Sequence, residues 1–180
     1  MQFASVSTAN AVRRLVLSRV SSLAPGDVTF TLNTSVMSDE QLAHRIGAIV
    51  LDSETTEGTT MRASVHATRR TVVTSADLVT TAGHGAPTTP PMPLVQLEPG
   101  GQLEFSFRVV RGTGSDHVRF CPAEVVPYTV HDDESATVDV ESTGQREPRE
   151  VLREAVALLR DDMRRAKDHL TAATMQRCCT

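Results

Sequence analysis

The apolar positions change period several times along the chain, and each change predicts an element. Val12, Leu15, Val16 and Val20 return at three- and four-residue intervals, which predicts a helix over about Ser7 to Val20 with Ser7 or Thr8 as its N-cap. Pro25-Gly26-Asp27 reads as a turn, and Val28, Phe30 and Leu32 then alternate with Thr29 and Thr31 as a half-buried strand. Ser38 opens an S-x-x-Q capping box with Gln41, while Asp39 and Glu40 set negative charge at the positive end of the helix dipole. A second helix therefore starts at Asp39, with Leu42, Ile46 and Ile49 or Val50 as its apolar stripe.

Beyond Leu51 the polar DSETTEGTT reads as an exposed loop, and Arg62 to Val79 is rich in Thr and Val with strand tendencies. GHGAPTTPPMP, Gly83 to Pro93, is too proline-dense for regular structure. In QLEFSFRVV, Leu103, Phe105, Phe107 and Val109 face one way and Glu104, Ser106 and Arg108 the other, so the middle of the chain reads as a small β module. Arg111 to Glu124 is a glycine-containing loop, and Ala136, Val138 and Val140 form a further strand. From Pro148, suited to a first helical turn, Leu152, Ala155, Leu159, Met163, Ala166 and Leu170 recur at helical spacing. A long amphipathic helix results, with TAATMQRCCT as a frayed tail. Helices and mostly antiparallel strands in this order give an α+β fold.

The charge balance narrows the function classes. Net charge is −4 and the basic residues are spread without a dense run, so the electrostatic footprint of an autonomous nucleic-acid binder is missing. One Tyr, no Trp and five Phe are too few for a stacking platform for single-stranded bases. No segment approaches the roughly 20 apolar residues of a membrane span, and the N-terminus lacks a signal-peptide pattern, so a soluble, non-secreted chain is expected. Cys121 stands alone and Cys178-Cys179 are adjacent, which suggests no disulfide framework; the sequence assigns the last two no role.

Candidate chemistry concentrates at the second helix. Glu40 and His44, four residues apart, share a helix face and could form an acid–base pair, the basis for a small hydrolase. The competing reading has Asp39 and Glu40 complementing the dipole while His44 packs at an interface, and helix-start logic favours it. No nucleophile elbow, phosphate loop or H-E-x-x-H supports catalysis. The six histidines are scattered singly, so no metal site and no cofactor is expected. Gly112-Thr113-Gly114 lacks the third glycine and following helix of a dinucleotide fingerprint and reads as a turn. Arg13-Arg14 could touch phosphate, although paired helix arginines more often form a solvated or partner-facing edge.

ANAVRRLVLSRV, Ala9 to Val20, followed by NTSVMSDEQLAHRIGAIVL, Asn33 to Leu51, resembles the α-like large subunit of multisubunit RNA polymerases. This group comprises bacterial α, its archaeal counterpart and the third-largest subunit of eukaryotic RNA polymerase II. LVQLEPGGQLEF, RGTGSDHVRFCPAEVVPYTV and VESTGQREPREVLREAVALLRDDM extend the likeness over nearly the whole chain. The resemblance implies a dimerisation domain in two pieces, 1–51 and 127–180, interrupted by a small, mostly β insert domain at 52–126. It implies a non-catalytic assembly subunit that pairs with a smaller α-like subunit, holds the second-largest subunit and meets small assembly subunits, inside the cell wherever transcription occurs. On this likeness Arg13 and Arg14 face a large subunit, Asp39, Glu40, His44 and Arg45 lie on an assembly surface, and Leu152 and Leu159 belong to the closing helix.

Three departures qualify the likeness. The first strand of the family is expected to be absent or very short, because so few residues precede Asn10. A cysteine cluster for zinc or iron–sulfur, carried by many archaeal and eukaryotic relatives, cannot be built from Cys121 alone. No C-terminal DNA-binding module of the bacterial kind is seen, so no sequence-specific DNA binding is expected. With one lysine among eighteen basic residues, this compactness suggests a reduced polymerase, such as that of a large DNA virus. A free-standing homodimeric assembly protein is the alternative.

Overall fold

The computed structural model describes residues 1–88 and 90–178, with side chains through 172. Its elements are β1 (Gln2–Phe3), α1 (Val6–Ser18), β2 (Ser21–Asn33), α2 (Asp39–Gly47), β3 (Thr60–His66), β4 (Thr71–Thr74), β5 (Val79–Ala82), β6 (Pro93–Leu97) and β7 (Gln102–Thr113). These are followed by β8 (Ala123–Val125), β9 (Tyr128–Val130), β10 (Ala136–Val138), β11 (Glu141–Ser142) and α3 (Pro148–Cys178). Single 3₁₀ turns occupy Ser75–Asp77 and Val118–Phe120. The architecture is α+β, and every strand pairing among the described residues is antiparallel.

A four-stranded sheet, β2-β7-β3-β5, forms the centre, and its longest contact is the β2–β7 ladder from Ser21↔Thr113 to Asn33↔Leu103. The alternation in β7 is what the sequence dictates: Leu103, Phe105, Phe107 and Val109 are buried, while Glu104 crosses to an ion pair with Arg62 on the opposite face. The other sheets are β1-β10-β9 and the two-stranded β4-β6 and β11-β8. β1 is two residues long and is held by the amino group of Met1, which donates to the Val138 carbonyl at 2.7 Å.

Two hydrophobic cores result. The sheet core joins Leu42, Ile46, Ile49 and Leu51 of α2 and its exit to Met61, Leu94, Leu97, Leu103, Phe105 and Phe107. The helical core joins Ala9, Val12, Val16 and Val20 to Val126, Ala136, Val138, Val151 and Ala155. Thus α2 packs on the sheet of residues 60–113, whereas Ala123 and Val126 pack between α1, β10 and α3.

Four expectations need correction. Pro25-Gly26 is not a turn between elements but an irregularity inside the continuous strand β2, where the register with β7 shifts between Pro25 and Val28. Proline lacks a ladder donor, and a Cβ on Gly26 would come within 2.7 Å of the Arg108 carbonyl oxygen, so this sequence suits a bulge on an edge strand. The N-cap of α1 is Ser5, whose hydroxyl lies 2.7 Å from that of Ser7, and neither Ser7 nor Thr8 caps the helix. Gly112 lies in β7, and the turn starts only after Thr113. The tail read as frayed continues α3 to Cys178; the side chain of Cys178, and Cys179 altogether, lie outside the described residues.

Candidate functional site

Three surfaces carry the residues singled out from the sequence. On α1, the half-buried Arg13 uses its fork internally: Nε and Nη2 both donate to Asn10 Oδ1, at 3.1 and 3.0 Å, and the guanidinium lies 5.9 Å over the Tyr128 ring. Arg14 points outward, and its guanidinium makes no hydrogen bond or ion pair among the described residues. The two arginines therefore do different things: Arg13 is braced against the domain, and Arg14 is presented to solvent. The apolar stripe of α1 is covered by the chain itself: Ala9, Val12 and Val16 are fully buried, and Val6, Leu15 and Leu17 remain half-exposed at its margins.

The α2 surface is built by its cap and the loop before it. Ser38 Oγ accepts from the Gln41 N–H at 3.4 Å, and the Ser38 N–H donates to Gln41 Oε1 at 3.2 Å, closing the capping box read from the sequence. Asn33 organises the approach: its Nδ2 donates to Asp39 Oδ1 at 2.7 Å and to the Met37 carbonyl at 3.0 Å, while its Oδ1 accepts from the Ser35 N–H. Thr34 ties the same loop to β7, its hydroxyl accepting from the Gln102 N–H at 2.7 Å. The Asn33-Thr34-Ser35 run thus acts as a brace that fixes how α2 leaves β2. Arg45 fastens the other end, donating from Nη2 to the Pro93 carbonyl at 3.0 Å.

Glu40 is fully exposed, and its carboxyl is held below its usual value of 4.5 first by its own backbone N–H and then by the Ser38 hydroxyl. Among the described residues no hydrogen bond or ion pair joins Glu40 to His44, so the acid–base pair is not assembled. His44 instead rims a cleft of about 460 Å³ between α2 and the 117–121 turn, lined also by Gly47, Ile49, Val118, Arg119 and Cys121. No group of three or more His, Cys, Asp and Glu suited to a metal occurs among the described residues. Nor is any helix there long and apolar enough to cross a membrane.

On α3, Leu152 and Leu159 are half-buried against the helical core, whose innermost contacts from this helix come from Val151 and Ala155. One turn beyond Leu159, Met163 is 65% exposed. The helix therefore leaves the domain with its apolar stripe still running. The structure does not bring the three surfaces into one site: α1 and α3 share the helical core, while α2 belongs to the sheet core.

Sequence reasoning missed two devices. Gly114 packs against the end of α1 so closely that a Cβ would overlap the Leu17 carbonyl oxygen, and the Ser115 N–H and hydroxyl both donate to the Ser18 carbonyl, at 3.0 and 2.9 Å. The glycine loop is a C-terminal clamp on α1, and only its unusual glycine spacing hinted at it. Arg119 stacks 5.2 Å over Phe120 and donates from Nη1 to the Pro25 carbonyl at 3.1 Å, tying the turn to the β2 bulge. Nothing local in the sequence marks it.

Comparison with known proteins adds a family. Residues 3–163 match the model described as the RNA polymerase Rpb3/Rpb11 dimerisation domain. DNA-directed RNA polymerase subunit Rpo3 of Methanocaldococcus jannaschii is 33% identical over 159 residues, covering 88% of this chain and 82% of that protein. The Rpo3 proteins of Thermococcus kodakarensis and Pyrococcus horikoshii are each 34% identical, over 67% and 66% of this chain; it spans 50% and 49% of their lengths.

Proposed function

Because the chain belongs to the RNA polymerase Rpb3/Rpb11 dimerisation-domain family, the α-like subunits of DNA-directed RNA polymerase, we propose that it is a non-catalytic assembly subunit of such an enzyme. In this reading the helical core is one half of a heterodimer interface, and a smaller α-like subunit supplies the other half. The pair then docks the second-largest subunit and small assembly subunits, inside the cell wherever transcription takes place. Nucleotidyl transfer belongs to other subunits.

The observation that carries the proposal is the helical core itself. Its fully buried members are all Ala and Val, and every leucine packed against it stays half-buried at the rim. Rim leucines beside a helix that continues into solvent mark a surface to be covered by another chain. On the same reading residues 1–51 and 127–180 form the dimerisation domain and 52–126 the insert. Arg14, with Arg13 braced behind it, faces the second-largest subunit, where a guanidinium fork suits carboxylates. Asp39, Glu40, His44 and Arg45 form a further docking surface, held in place by the Asn33 brace.

Co-expression tests the proposal. With the smaller α-like subunit of the same source, the chain should elute as a one-to-one complex, and Arg14→Ala should weaken capture of the second-largest subunit while sparing that complex. A chain that stays monomeric beside the smaller subunit would refute the dimerisation reading, and unchanged capture by Arg14→Ala would refute the assignment of Arg14.

A further inference from the structure

The faces of α3 specify more than an apolar contact. At about 100° per residue, Leu152, Val156, Leu159 and Met163 form one stripe, turned roughly a quarter of the circumference away from the core-facing Val151, Ala155 and Leu158. Beside that stripe, on the side away from the core, Arg149, Arg153, Arg160, Arg164 and Lys167 fall within about 60° of one another and extend over about 27 Å of helix. All five are exposed. Arg164 pairs with Asp161 at 3.5 Å, whereas Arg149, Arg153 and Arg160 make no ion pair among the described residues. Those three arginines line one groove with Leu152, Val156 and the N-terminal Met1.

We infer that this groove takes a partner helix whose apolar stripe is bordered by Asp or Glu, and that these carboxylates, set against Arg149, Arg153 and Arg160, select the partner. The inference rests on the dimerisation reading and names the chemistry of the partner at that interface. A solvated basic edge needs no neighbouring apolar stripe; here the two run side by side, so an occupant that buries Leu152, Val156 and Leu159 brings its flanking residues against the arginines. Charge complementarity then sets orientation and rejects wrong partners more than it adds affinity. A nucleic acid fits less well. A duplex would leave the apolar stripe bare, and Glu150, Asp161 and Asp168 form an acidic line on the far side of the arginines that repels phosphate.

The test uses the full chain and three designed helical peptides of about 28 residues that share one leucine stripe and differ only in its flanks, which are Glu, Ser or Lys. The Glu-flanked peptide is expected to bind about tenfold more tightly than the Lys-flanked one at low salt, with the Ser-flanked peptide between, and high salt should shrink the difference. The exposed triple variant Arg149→Glu/Arg153→Glu/Arg160→Glu should keep its circular dichroism spectrum and invert the order. Equal affinity for all three peptides would overturn the inference, as would a preference left unchanged in the triple variant. Tighter binding of a DNA duplex or polyuridine than of any peptide would assign the stripe to nucleic acid instead, and self-association that occludes the groove would assign it to a second copy. A triple variant that still pairs normally with the smaller subunit overturns the charge selection and leaves dimerisation standing; a wild-type chain that never pairs removes the dimerisation reading itself.

Discussion

The sheet core and the helical core are filled by different kinds of side chain. Phe105, Leu42, Ile46, Leu94, Leu97 and Leu103 sit fully buried inside the first, so its largest apolar groups are already out of water. In the second, the buried positions are Ala and Val, while Leu15, Leu17, Leu152, Leu158 and Leu159 stay half-exposed around them. Each large apolar side chain withdrawn from water is worth about 1.5–3 kcal/mol, so the sheet core gains that stabilisation within the chain, whereas the helical core leaves part of it unrealised, which on the dimerisation proposal a partner would complete. One polypeptide thus carries a finished core and an unfinished one, joined by the long β2–β7 ladder.

The two cores differ most at Phe105. Phe105→Ala, which removes a fully buried ring packed 5.8 Å from Phe30, should cost about 3–5 kcal/mol and lower the melting temperature of the isolated chain and of the heterodimer alike. Leu159→Asp should lower the isolated chain's urea midpoint only modestly and yet reduce heterodimer affinity by about a hundredfold or more by titration calorimetry; a loss of monomer stability as large as that of Phe105→Ala would mean that the helical core is already closed. Gly114→Ala lies between these, because its Cβ would press on the Leu17 carbonyl. About 1–3 kcal/mol should be lost, with faster amide exchange in α1 and little change in β3.

Smaller effects separate the two regions further. Ser38→Ala removes the cap of α2 and should cost about 1 kcal/mol, read from the sheet core's denaturation midpoint, without altering heterodimer affinity. In acid the clamp on α1 should loosen. Asp116 accepts from the Thr113 N–H at 2.9 Å and its hydroxyl at 2.8 Å, which holds its carboxyl below the usual 3.8. A carboxyl depressed on folding stabilises the fold above its unfolded value and loses that contribution as pH falls through the folded one. Lowering the pH from about 5 to about 2 should therefore reduce the protection factors of the Thr113 and Ser115 amides before those of central β7.

Much of this was legible where local chemistry decides the outcome. The Ser38–Gln41 box, the alternation from Leu103 to Val109 and the start of α3 at Pro148 each follow from a few neighbouring residues, and all are observed. What could not be read depends on distant partners. Pro25-Gly26 carries a turn signature, but the antiparallel neighbour Val109 keeps it in a strand. Gly112 looked like part of the turn that Gly114 begins, because nothing local shows that it lies in β7 under Phe120, or that the turn at Gly114 presses on the end of α1. Among the interface candidates, the exposure of Arg14 and the bracing of Arg13 by Asn10 and Tyr128 emerge only from the fold. The buried Gln145 is a similar case: its amide donates to the Leu23 carbonyl at 2.7 Å and accepts from the Leu23 N–H at 3.0 Å, completing the free edge of β2 as a strand would.

The claim that one core is finished and the other is not can be tested directly by amide hydrogen exchange on the chain alone and in complex with the smaller α-like subunit. Protection is expected to rise at least about tenfold through residues 151–165 and around Leu15 and Leu17 at the margin of α1 on complex formation, while β3 and β7 keep the protection they already have. Equal protection of α3 in the two states, or a gain confined to the sheet core, would contradict it.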